Sequence, residues 1–115
     1  MRNEYGYRKM DKTETSLRQI VETYYRQRGL TQPDATQALL FLVSEVGELA
    51  DAHVESQAEW VRNNDRERGV EDEIGDVLMM LTVFAATQGV DPVDVMLAKF
   101  RRKGFAWQGN NSTGE

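Results

Sequence analysis

The sequence predicts an all-α protein, a four-helix bundle, on three observations. Apolar residues recur at helical spacing through four segments, strand-like alternation is scarce, and both prolines fall where a helix would begin.

The first helix is expected from about Thr13 to Arg28, with Leu17, Ile20, Val21, Tyr24 and Tyr25 on one stripe and Gly29 ending it. Both tyrosines read as core. The second runs from about Pro33 to Ala58, and the third from near Gly69 to near Gln88, with Gly89 as its C-cap. The fourth starts near Pro92, capped by Asp91, and ends near Gly104. Between the second and third lies "EWVRNNDRERG", a loop or short helical turn. The terminal "QGNNSTGE" lacks apolar residues, so about 105–115 reads as a flexible tail.

At 115 residues the chain reads as one domain, 1–115, without room for a second core. It carries 40% hydrophobic and 29% charged residues, the balance of a soluble globular protein. With no cysteine it has neither a disulfide framework nor a thiolate metal site. No apolar run approaches the roughly 18 residues of a membrane span, and "MRNEYGYRKM" lacks a signal-peptide core. No membrane partner is therefore expected, and a cytoplasmic location is. The net charge of −5 argues against a nucleic-acid partner. Charge is nonetheless segregated. "EDEIGD" gathers Glu71, Asp72, Glu73 and Asp76, and "KFRRKG" gathers Lys99, Arg101, Arg102 and Lys103. Such a pair of clusters suits a polyanionic ligand that arrives with metal, or else two solvated helix ends.

The second and third helices share an oddity. Glu45 and Glu48 are spaced i, i+3, and so are Glu73 and Asp76, each pair inside apolar sequence, "FLVSEVGEL" and "EIGDVLMML". Residues at that spacing are neighbours on a helix surface. Each pair has a glycine before its second acid, Gly47 or Gly75, which would let another helix or a ligand approach the backbone. If the two helices pack antiparallel, four carboxylates converge and raise one another's pKa values unless a cation neutralises them. All-oxygen ligation suits a hard ion, Mg²⁺ or in its place Mn²⁺. A di-iron bundle would add Glu-x-x-His motifs, and the single histidine, His53, is not placed three after either glutamate. Solvated acids, or acids paired with nearby arginines, are the alternative.

These acids, with "SEVGELADA", "EDEIGDVLMML" and the later "GVDPVDVMLAKFRRK", resemble the MazG-like nucleoside triphosphate pyrophosphohydrolases over about residues 37–103. The resemblance implies Mg²⁺ held by Glu45, Glu48, Glu73 and Asp76. It implies hydrolysis of (deoxy)nucleoside triphosphates to the monophosphate and pyrophosphate, in a homodimer or homotetramer with sites built across subunits. Lys99, Lys103 and Arg102 become the phosphate contacts, and Glu48 or Glu45 the group that takes a proton from water. The chain is a single short copy beside longer two-domain members of that family. A non-enzymatic helical dimer, binding metal or a partner for a regulatory purpose, is the second reading.

Of the remaining residues, Trp60 and Trp107 are candidates for base stacking or for a dimer contact. His53 reads as a surface or interface residue. Met79 and Met80 read as core or interface, and Glu71 and Asp72 as a solvated helix start.

Overall fold

The structure is a computed structural model that describes residues 15–58 and 69–106. Among the described residues it has four helices and no strand: α1 (Leu17–Gln27), α2 (Ala35–Ser56), α3 (Gly69–Thr87) and α4 (Pro92–Arg101). The segment expected as a loop around Trp60 lies mostly outside the described residues, as does 107–115 of the expected tail. Phe105 is described, and its ring meets Phe100 edge to face at 5.9 Å.

Local chemistry sets each boundary. Ser16 caps α1 and Asp34 caps α2. Each is part of a capping box in which the glutamine three residues on, Gln19 or Gln37, reaches back to the cap's own N–H. These boxes start the two helices at residues 17 and 35, later than apolar spacing alone suggested. Gly29 and Gly89 adopt φ of 66° and 76°, the left-handed conformation that glycine takes without strain. There Leu30 N–H returns to the Tyr25 carbonyl and Val90 N–H to the Ala85 carbonyl, closing α1 and α3 with paired C-terminal bonds. Pro92, in the first turn of α4, gives up an N–H that no helix could have used.

The principal packing is α2 against α3, with α1 and α4 each resting on α3. Ala38 near the start of α2 joins Met80 and Val83 in the second half of α3, while Ser56 at the end of α2 lies by Gly69. The pair is therefore antiparallel. The core gathers Val21 and Tyr25 from α1 with Ala38, Met80 and Val83, supported by Leu42, Met79 and Phe84. The expected α1 stripe is only half buried, because Ile20 and Tyr24 are exposed. Tyr24 is thus not core. It packs edge to face on Tyr25, and the Arg28 guanidinium sits 4.8 Å from its ring centre.

α2 is apolar on two sides. Its inner side, toward α3, carries Ala38, Leu42, Glu45, Leu49, Ala52 and Ser56. A hundred degrees per residue places Leu39, Leu40, Val43, Val46, Ala50 and Val54 on the other side. Leu40 and Val43 are each 65% exposed and Val54 62%. Burying a side chain of this kind contributes roughly 1.5–3 kcal/mol, so this face forgoes several such contributions while uncovered. On α3, Ile74, Leu78 and Leu81 form a second exposed stripe at i, i+4, i+7. No single described helix is long and apolar enough to cross a membrane; α3 and α4 reach that composition only as a pair bent by 82°.

Candidate functional site

Glu45 sits on the inner side of α2, between the half-buried Leu42 and Leu49. Opposite it on α3 are Glu73 and, one turn on, Asp76. One carboxylate oxygen from each of Glu45, Glu73 and Asp76 lies within 4.8 Å of the other two. All three residues are half-buried. Among the described residues no lysine or arginine forms an ion pair with them, the one such pair being Arg18 with Glu22 at 3.5 Å. Glu45 Oε1 and Glu73 Oε1 are shut off from solvent and have no hydrogen-bond partner.

The charges show this crowding. Burial, then Glu48, Asp76 and Glu73, raises the Glu45 pKa above the ordinary carboxylate value. Glu73 is raised too, by burial, Glu48 and Asp76. Two ionised carboxylates offer no donor to each other, which is why their inner oxygens are left orphaned.

Glu48 stands apart from this triad. It is about 60° further round α2 and exposed. It borders a cavity of about 240 Å³, together with Asp51, Glu55 and Ser56 from α2 and Gly69 and Glu73 from α3. The sequence reading passed over Asp51 and Glu55, although their spacing from Glu48, three and seven residues, already put them on its face. Gly47 and Gly75 do not mark a close approach within this chain. A Cβ on either would meet nothing within 4 Å.

The basic residues lie elsewhere. Lys99 and Arg102 line a groove of about 590 Å³ between α3 and α4, floored by Leu81, Phe84, Val95 and Phe100. Lys103 is exposed just beyond. None of the three borders the acidic cavity. His53, Glu71 and Asp72 are exposed. Met80 is buried in the core and Met79 packs on it. Trp60 and Trp107 lie outside the described residues.

An antiparallel helix pair with carboxylates facing each other across its seam defines an all-α protein with an acidic centre. The donor set is oxygen only, and two of its oxygens are buried and partnerless, an arrangement that fits a hard divalent cation. The chain matches the MazG nucleotide pyrophosphohydrolase domain over residues 34–103, a span that includes both acid pairs and the basic stretch. It belongs to that family. Neither a curated protein nor a solved structure matches it significantly.

Proposed function

We propose that this chain is a Mg²⁺-dependent nucleoside triphosphate pyrophosphohydrolase, with Mn²⁺ able to substitute. The observation that carries the reading is the Glu45–Glu73–Asp76 triad with its two orphaned oxygens. A carboxylate cluster that raises its own pKa values, inside a seam that otherwise packs Ala38 on Met80 and Val83, is a liability without a cation. The family match supports a nucleotide substrate.

In this reading Glu45, Glu73 and Asp76 hold the metal, and Glu48 completes the set from the cavity side. Bound there, Mg²⁺ would supply charge neutralisation at the phosphate and raise the acidity of water. Glu48 is exposed, outside the triad and beside open space, so it can accept the proton of an attacking water; Glu45 is the other candidate. The bond formed is from the water oxygen to the α-phosphorus. The bond broken joins that phosphorus to the bridging oxygen, and pyrophosphate departs with its electron pair. Lys99, Arg102 and Lys103 neutralise the phosphate chain. Because these cations do not border the acidic cavity of their own chain, the working unit is a homodimer or homotetramer in which one copy's α4 serves another's acids. The exposed apolar faces of α2 and α3 give such a partner its surface. Trp60 and Trp107 are the candidates for stacking on the base.

A panel of the eight common nucleoside and deoxynucleoside triphosphates, with products separated, tests the reaction. Equal amounts of nucleoside monophosphate and pyrophosphate are expected, with Mg²⁺ required. Release of orthophosphate and a nucleoside diphosphate would overturn it.

A further inference from the structure

Asp91 is one of two buried polar residues among those described, at 7% exposure. Its expected role was to cap α4, and Val93 N–H does donate to its Oδ2 at 3.0 Å. Its other oxygen has a role that no local spacing indicates. Arg18 N–H, in the first turn of α1, donates to Oδ1 at 2.9 Å across 73 positions of chain. The first turn of a helix leaves N–H groups without intrahelical partners. One carboxylate therefore satisfies such groups on two helices at once, one oxygen to each.

α4 has little else to hold it. None of its residues is buried, and only Pro92 and Leu97 are half-buried. Its packing is chiefly against α3, and α3 ends in a tight turn at Gly89. The helix is thus pinned at its N-terminal end and rests lightly along its length, while Lys99, Arg102 and Lys103 occupy the far end. A small change of angle at the pin is magnified along the roughly 1.5 Å per residue of helix between Asp91 and those cations.

We propose that Asp91 is a positioning residue: by bridging the starts of α1 and α4 it fixes the direction of α4 and thereby places Lys99, Arg102 and Lys103 for the phosphate chain. The last step rests on the reading of those cations as phosphate contacts; the bridge itself does not.

Two variants separate the bridge from the cap. Asp91→Ser keeps a good N-cap for Val93 but has one oxygen on a shorter arm, so the link to Arg18 is lost. Arg18→Pro removes the donor instead, at a first-turn position where proline is tolerated, and leaves Asp91 intact. In the full-length protein, hydrogen exchange should show faster exchange of α4 amides in both variants, with the protection of α2 and α3 retained. The KM for Mg²⁺-nucleotide should rise about tenfold, a loss of ~1.4 kcal/mol, with kcat little changed. Unchanged α4 protection in both variants overturns the proposal. So does loss of α2 and α3 protection in both, which would make Asp91 a residue needed for folding, and so does a fall in kcat at constant KM. If the wild-type protein shows no turnover, the proposed function fails, and the exchange measurement still decides whether the bridge orients α4.

Discussion

The acidic and basic halves of the site are built on opposite principles. Glu45, Glu73 and Asp76 project from the two helices that make the principal packing of the fold, and the same helices carry residues as deeply buried as Val83 at 0% exposure. Lys99, Arg102 and Lys103 belong to a helix, or the turn after it, that buries nothing. Under the proposed function the difference follows from what each group does. A small hard cation needs several oxygens held at fixed separation, so the ligands must be set before it arrives. A phosphate chain is longer, and cations on long side chains can reach it from an exposed helix once that helix is aimed.

The largest expected effect tests that contrast directly. Asp76→Asn should lower turnover on the order of a hundredfold or more, the scale seen when a preorganised charge contact is lost. It should also erase most of the rise in melting temperature that Mg²⁺ produces. Lys99→Ala with Arg102→Ala should raise KM for the nucleotide and leave the Mg²⁺-induced shift intact. If the double variant loses that shift too, the two halves are one unit and the contrast is broken.

A second comparison sets the inner side of α2 against its outer side. Val43→Lys puts a charge in the exposed apolar face, where a single chain has nothing to lose. If a partner subunit covers that face, light scattering should report a shift toward the 13.1 kDa monomer, and turnover should fall with it. The Mg²⁺-induced shift, which depends on the inner side, should remain. A variant as large and as active as wild type would show that the partner binds elsewhere.

The smallest expected effect concerns the metal-free protein. Glu45→Gln removes one crowded charge and supplies an amide N–H to the orphaned oxygen of Glu73, so the chelated variant should melt a few degrees above wild type. A pH series sharpens this. Glu45 and Glu73 have folded pKa values raised above the ordinary 4.5, so the metal-free fold holds these protons more tightly than the unfolded chain does. The stabilisation is complete below 4.5 and is lost as pH climbs through the raised values. Melting temperature in chelator should therefore decline over that climb in wild type and decline less in Glu45→Gln. A wild-type protein that gains stability over the same interval would mean that the acids are already compensated without metal.

Much of this was legible in the sequence, for reasons that are local. Helix starts at Pro92 and stops at Gly29 and Gly89 depend on a few adjacent residues, and the i, i+3 acids declare a shared face by spacing alone. What could not be read depends on how helices are rotated against one another. Glu45 and Glu48 are equivalent on an isolated helix, but the seam with α3 runs nearer Glu45, and Glu48 is left at the cavity. Tyr24 and Tyr25 share a stripe until packing selects one. The bond from Arg18 to Asp91 joins positions that no window of sequence contains.

The antiparallel seam has a consequence for how the fold finds its own alignment. Most of what α2 offers α3 is aliphatic, and aliphatic surfaces tolerate sliding. Glu45 does not. A slip of one turn, about 5.4 Å, toward the end of α3 would move it from Asp76 to the neighbourhood of Met80, where a carboxylate would meet methyl and thioether groups and no cation. The acids thus act as a key cut into an otherwise smooth edge: they admit one alignment of the two helices, and a chain that misaligns forfeits the acidic triad along with the fit.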